Sequence, residues 1–303
     1  MKYELRNTWL DIDVDSLFVK TIQEFFDNYI PSKKVQHLLI QNKNILLDGN
    51  PVKREDDIVG LKLNINIYPE TYNYQKINNT INVVYEDEIL LVVNKPKDLL
   101  VHSDGNEEIT LNKMVESYYA DKNYISAFPI HRLDKETSGL VVYSKSVIFQ
   151  PLLDKLLSEK QIRRNYLAFV KGKMDVNKSF VINKPIGNDR HNSNKRIIYK
   201  NGQEAITKVK CIACNKAKNY SILQCSLDTG RTHQIRLHLS SENYPIINDD
   251  LYGVGSDLCK RMGLFASNLE LYHPLLEDNL YIETDLPQDL EKLYTEALRW
   301  VEK

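Results

Sequence analysis

The sequence lacks most of the features that would assign it to a specialised class. No apolar run approaches the roughly 18 residues of a membrane-spanning helix, and the opening stretch Met1 to Asp13 has no basic-then-apolar order of the kind that marks a secretion signal. These absences predict a folded, cytoplasmic protein without membrane contact. Only 4 cysteines occur in 303 residues, and all lie in the last third. A disulfide framework would spread them along the chain. Cys211 and Cys214 form a C-x-x-C, but the run around them alternates Thr207, Val209 and Cys211 against Ile206, Lys208 and Ile212, as a strand does. Cys225 and Cys259 stand alone, so a four-ligand metal site is not expected. An excess of basic charge is also missing: 40 Lys and Arg against 41 Asp and Glu give a net charge of −1. Any grip on a polyanion must therefore come from local clusters. Such clusters stand at Lys33-Lys34, Lys160 to Arg164, Lys171 and Lys173, and from Lys184 through Arg190, Lys195, Arg196 and Lys200. Each by itself reads as a solvated face.

What is present is enough apolar content, 42%, for one sizeable core and a smaller satellite. Residues 1–70 read as a separate unit. Leu17, Val19, Ile22, Phe25 and Phe26 give a helical face, Pro31 breaks it, and Ser32 is placed to cap a second helix from Lys33 to about Gln41. Ile45-Leu46-Leu47 and Leu63, Ile65, Ile67 read as short strands, with Asp48-Gly49-Asn50 as the turn after the first. Residues 71–80 are polar, without apolar period, and read as a linker. Residues 81–303 form the second domain. Its strands are expected at Ile81–Tyr85, Ile89–Val93, Leu140–Tyr143, Tyr166–Val170, Ala205–Ala213 and Tyr220–Leu227, its helices at Val147–Lys160 and Pro287–Val301. Strands and helices do not alternate strictly, which predicts an α+β sheet domain and excludes a doubly wound one.

One polar cluster stands out. His131-Arg132-Leu133-Asp134 lies just before Thr137-Ser138-Gly139 and the apolar run Leu140 to Tyr143, so it should be a loop feeding a buried strand. The residues alone also allow a capped turn, with the Asp134 side chain bonding the amides near Lys135 to Thr137.

The segment "HRLDKETSGLVVYSKS" resembles the signature loop of the RluA-type pseudouridine synthases, and three further segments in the same order support the resemblance. They are "VVYEDEILLVVNKP" from Val83, "RRNYLAFVKG" from Arg163 and "GRTHQIRLHL" from Gly230, with weaker echoes in "GQEAIT" and "YPIINDDLYG". The resemblance covers roughly Ile81 to Pro274, and "SKKVQHLLIQNKNILLDGNPVKREDDIVGLKLNI" within residues 1–70 resembles the S4-like RNA-binding domain. The fold implied is a mixed, largely antiparallel sheet flanked by helices, preceded by the small S4-like module. The reaction implied breaks the N1 glycosidic bond of uridine, turns the uracil and bonds its C5 to the ribose, without metal or cofactor.

Carried over by motif, the resemblance makes Asp134 the catalytic carboxylate, as nucleophile or proton acceptor. Tyr166 would pack on the uracil, where its oxygen could also help remove the C5 proton. Arg236 would be the partner that keeps Asp134 ionised. Arg132 would enter the base stack in place of the extruded nucleotide. His131, Arg231 and Gln234 fall among the residues that shape the RNA pocket, by hydrogen bonding rather than proton chemistry. Arg163 and Arg164 would contact phosphate beside the pocket, Lys95 more weakly so. Lys33 and Lys34 belong to the basic helix of the S4-like module. The expected partner is structured RNA, ribosomal or transfer, and a monomer is the default. A non-catalytic RNA clamp on the same fold is the rival reading, which an altered Asp134, Tyr166 or Arg236 would have favoured. A hydrolase or metal site is a more distant one, lacking a nucleophile elbow. The chain departs from the family at Asp98 and Asn248, where glycine is usual, at Ser103 and Asp250, where proline is usual, and at Phe265, where histidine is common.

Overall fold

A computed structural model describes residues 1–17, 19–105 and 109–300. The N-terminal unit contains β1 (Tyr3–Arg6), β2 (Trp9–Asp13), α1 (Ile22–Tyr29), α2 (Lys33–Gln41), β3 (Ile45–Leu47), β4 (Asn50–Pro51) and β5 (Lys62–Asn66). Both helices begin where a hydroxyl accepts from an otherwise unpaired amide: Thr21 from Glu24 N and Ser32 from Val35 N. The second cap gives α2 the range expected from the sequence. The first one shortens α1, so Leu17 and Val19 are buried ahead of the helix and not on its face. The sheet runs β1-β2-β5-β3-β4, antiparallel throughout. Its β1–β2 hairpin was not expected; Leu10 and Ile12 alternate inward along β2 beneath Phe25 and Phe26.

The larger unit contains β6 (Val83–Glu86), β7 (Leu90–Lys95), α3 (Leu111–Tyr118), β8 (Phe128–Pro129), β9 (Ser138–Ser144), α4 (Gln150–Ser158), β10 (Ile162–Lys171), β11 (Ser179–Asn183), β12 (Ile186–Asn188), β13 (Arg196–Ile198), β14 (Ile206–Asn215), β15 (Tyr220–Leu227), α5 (Gln234–Ser241), β16 (Leu264–His273), β17 (Asp278–Glu283) and α6 (Gln288–Leu298). Val301, the expected end of the last helix, lies outside the described residues. One sheet runs β11-β14-β15-β10-β16-β9-β7-β6, with β17 beside β16 and β8 beside β9, and β12–β13 stands apart as a hairpin. The fold is thus α+β with a mostly antiparallel sheet.

The exception to the antiparallel pattern sets up the site. Ser138 and Gly139 of β9 pair in parallel with Phe265 and Ala266 of β16, and Ala266 in turn faces Tyr166 of β10. The loop entering β9 and Tyr166 therefore lie two strands apart, about 10 Å at ordinary strand spacing. The seam needs glycine: Gly139 has φ +119°, and a Cβ there would stand 2.2 Å from the Ala266 carbonyl oxygen.

One contiguous apolar core runs from Leu10 of the small sheet and Phe25 of α1 to Leu140, Tyr166 and Ile282 of the large sheet. Polar ties cross the same boundary, from Tyr68 Oη to the Glu88 carbonyl and from Ser146 Oγ to the Ile67 carbonyl. The intervening segment has no regular structure but is fixed, with Tyr72 N donating to Asn123 O at 2.6 Å and Ile77 N to Ser117 Oγ at 2.9 Å.

Gly139→Ala should cost about 3 to 5 kcal/mol, through strained backbone and overpacking together. Gly49→Ala, also at positive φ but with nothing within 4 Å of the added carbon, should cost only about 1 kcal/mol. Urea denaturation of the two variants checks the difference.

Candidate active site

The loop before β9 is held from beneath. Ile130 N donates to Val142 O, and Val142 N donates to His131 Nε2 at 3.3 Å, so the imidazole serves as an acceptor and is neutral. Burial, reinforced by the nearby Arg164 charge, pushes the His131 pKa down to about 3. The turn after Asp134 closes through its main chain, Thr137 N donating to Asp134 O at 3.2 Å. The capped turn allowed by the sequence is therefore not what forms: the carboxylate is directed to Arg236, whose Nη1 lies 3.1 Å from Asp134 Oδ2.

Lys95 fastens the other side of the loop. It is wholly buried, and its Nζ donates to the carbonyls of Pro96 (3.0 Å), Leu99 (2.7 Å) and Lys135 (3.1 Å). The expected phosphate contact is thus corrected: this ammonium holds the backbone next to Asp134. Burial pulls its pKa down to about 8 against the opposing charges of Asp134, Glu136 and Asp98. Asp98 and Asn248, which stand where glycine is usual, both take left-handed backbone, with φ of +60° and +54°. Short polar side chains tolerate that conformation better than most.

Arg236 sits on α5, 2% exposed, among three carboxylates. Asp249 faces it as a fork, Nε to Oδ2 and Nη2 to Oδ1, both at 2.8 Å. Nη1 remains for Asp134 and, at 3.4 Å, Glu136. Burial alone would raise the Asp249 pKa, but the bonds and charge of Arg236, with the amides of Leu251 and Tyr252, hold it below the usual carboxylate range. The Arg236 pKa is raised by the same pairing in spite of its burial. Tyr252 adds a ring 5.7 Å from the guanidinium carbon and a hydroxyl 3.0 Å from His233 Nδ1. Asp249, Tyr252, His233 and Glu136 were not singled out from the sequence. For Asp249 the available signal was the tandem Asp249-Asp250, one residue beyond the apolar Ile246-Ile247 and inside the segment "YPIINDDLYG".

Asp134, Tyr166, Arg164, Arg132, Arg231 and Arg236 line a single cavity of about 560 Å³, within the range of small-molecule sites. Tyr166 is buried, and burial raises its pKa, so the phenol is protonated at neutral pH. Arg164, two residues earlier on the same face of β10, shares the cavity. Arg163 does not, contrary to expectation: the pleat turns it outward, 3.7 Å from Glu270. Arg132 is exposed at the mouth. Arg231 donates from Nε to the Glu204 carbonyl at 3.0 Å. Gln234 is buried and bonded at both ends of its amide, to Thr229, Arg231 N, Ile206 O and Thr207, and so supports the wall from within. Lys33 and Lys34 are exposed on the first turn of α2, outside the cavity.

Comparison with known proteins agrees with this fold. The family model described as RNA pseudouridylate synthase matches residues 89–241. An uncharacterized RNA pseudouridine synthase, YhcT, of Bacillus subtilis is 35% identical over 215 residues, 70% of this chain and 71% of that protein. The ribosomal large subunit pseudouridine synthase D of Neisseria meningitidis serogroup A is 30% identical over 298 residues, 92% of this chain and 77% of that one. Among solved structures, human RNA pseudouridylate synthase domain containing 4 superposes with a TM-score of 0.57 at 22% identity, covering 72% of this chain and 93% of that one, a likeness of fold.

Two measurements test the supports of the site. His131 titrates near 6.5 when unfolded and near 3 when folded, so its stability contribution is complete above pH 6.5 and is lost as pH falls towards 3. Between pH 5.5 and 4 the unfolding free energy should fall more steeply than in His131→Gln, by about 1.4 kcal/mol per pH unit; equal slopes would refute the buried neutral imidazole. Asp249→Ala strands the Arg236 charge and should cost about 3 to 5 kcal/mol in urea denaturation.

Proposed function

The chain belongs to the RNA pseudouridylate synthase family and isomerises uridine to pseudouridine in RNA, and from that premise we propose that it modifies large-subunit ribosomal RNA through Asp134, Tyr166 and Arg236. The observation that carries this assignment is the Asp134 carboxylate in the cavity, 3.1 Å from an arginine that Asp249 clamps from behind. The reaction is balanced within the nucleotide: the N1–C1′ bond breaks, C5 bonds to C1′, the C5 proton leaves and N1 gains one. A single carboxylate next to the ribose, as nucleophile or base, is sufficient protein chemistry. Tyr166, being a protonated phenol, serves as a surface for the uracil and a hydrogen-bond donor rather than as the base that takes the C5 proton.

The target base must leave its stack to reach a cavity of this kind. Arg132, exposed at the mouth, is the side chain suited to fill the gap, since its planar guanidinium stacks as well as bonds. His131, Gln234 and Arg231 keep the walls in place. The ribosomal target is supported by the relatives named for the large ribosomal subunit, and a cytoplasmic location suits action on such RNA; a monomer is the default reading. Residues 1–70 act as an S4-like RNA-binding unit, residues 71–80 as the connection and residues 81–303 as the catalytic domain. Lys33 and Lys34, exposed at the start of α2, give the small unit its phosphate contacts.

Purified protein should convert specific uridines in large-subunit ribosomal RNA, as read by pseudouridine mapping of total RNA with and without the protein. Sites confined to transfer RNA would overturn the target, and no sites at all would favour a non-catalytic clamp. Asp134→Asn should lower conversion by about a thousandfold while RNA affinity stays within about threefold. Lys33→Gln with Lys34→Gln should reduce the slope of log affinity against log salt by about 1.5, measured by filter binding.

A further inference from the structure

Arg164 is the unusual charge in the cavity. It is 9% exposed, lines the same wall as Tyr166, and its Nε has no hydrogen-bond partner. Among the described residues no carboxylate pairs with it. Of the acidic groups around the cavity, Asp134 engages Arg236, Asp228 engages Lys208 at 2.8 Å and Asp154 engages the Gln150 amide at 3.0 Å, while Glu204 is exposed and forms no ion pair with Arg164. A buried guanidinium without a counter-charge is unfavourable unless something else supplies one.

The surroundings are built to leave this group in place. Its Nη1 and Nη2 lie over Gly230, where an added Cβ would stand 2.9 Å from Nη1. The start of α5 lines the same cavity, and its N-cap His233 offers no side-chain cap, so the positive end of the helix borders the same space. A planar fork of donors beside an uncapped helix end matches a tetrahedral oxyanion better than a neutral carbonyl. Arg132 at the mouth is placed for flanking nucleotides, whereas Arg164 is reached only from inside.

We propose that Arg164 is the seat for a phosphate of the extruded nucleotide itself, received over Gly230 and next to Tyr166. The identity of that nucleotide rests on the synthase reading above; the anion seat is tested without any turnover, so the two can fail separately. Full-length protein is titrated calorimetrically with uridine, uridine 5′-monophosphate, uridine 3′-monophosphate and inorganic phosphate. One of the monophosphates should bind about tenfold or more tightly than uridine, the worth of a charge-assisted pair. In Arg164→Gln that preference should drop below about twofold, and in Arg164→Lys it should be intermediate, since a point charge keeps attraction but not the fork. Equal binding of uridine and both monophosphates by the wild type, or a preference that survives in Arg164→Gln, overturns the proposal. So does inorganic phosphate binding as tightly as the better monophosphate, which would assign the seat to a free anion. Should Arg164→Gln not fold, Gly230→Ala displaces the guanidinium instead; it should lose about threefold or more of the preference, and no loss there overturns the proposal equally.

Discussion

Inside the protein, Nε and Nη2 of Arg236 meet the two oxygens of Asp249 at 2.8 Å, with almost no water on either side. A guanidinium buried this deeply is tenable because its planar edge is matched by a carboxylate that itself takes two backbone amides. That fork fixes the plane of Arg236 and leaves one nitrogen, Nη1, aimed at the loop before β9. Asp134 is therefore oriented by a group whose own orientation is decided 13 residues further along the chain. Without Asp249 the charge would be free to turn towards Glu136 or solvent, and Asp134 would lose the reference that sets its position.

The loop itself is shaped by contacts made through main-chain groups. Lys95 gathers three carbonyls, His131 accepts an amide, and Asp134 contributes its carbonyl to the turn. None of these contacts engages the Asp134 carboxylate. The arrangement separates the groups that fix the backbone from the carboxylate proposed to act on the substrate, so that this carboxylate need not serve as a backbone tie.

Local features were legible from the sequence wherever the cause was local. Ser32 caps α2 at its expected first turn, and the apolar run after Gly139 is a buried strand. Leu17 and Val19 misled because helical spacing does not reveal that Thr21, four residues on, begins the helix. The β1–β2 hairpin was overlooked because its strands are short and turn on Asn7, a left-handed residue without the usual glycine. At the site, Asp134, Tyr166 and Arg236 were recognised through ordered motifs; the register across β9, β16 and β10 brings the first two to one cavity, and α5 adds Arg236 to its lining. Asp249 was missed because its importance lies in a contact that no sequence period encodes. Arg163 and Arg164 could not be separated until the pleat showed which one faces inward.

The unbroken core between the small and large sheets has a consequence for how an RNA is chosen. With Leu10, Phe25 and Ile67 packed into the same interior as Leu140 and Tyr166, the exposed start of α2 and the cavity mouth are held at a constant separation. On the proposed reading, in which α2 grips RNA, an RNA held by both would have to present a bendable uridine at that distance from the feature gripped by α2. On that reading the protein would work as a ruler as well as a pocket, rejecting by length and curvature sequences whose uridine would otherwise fit.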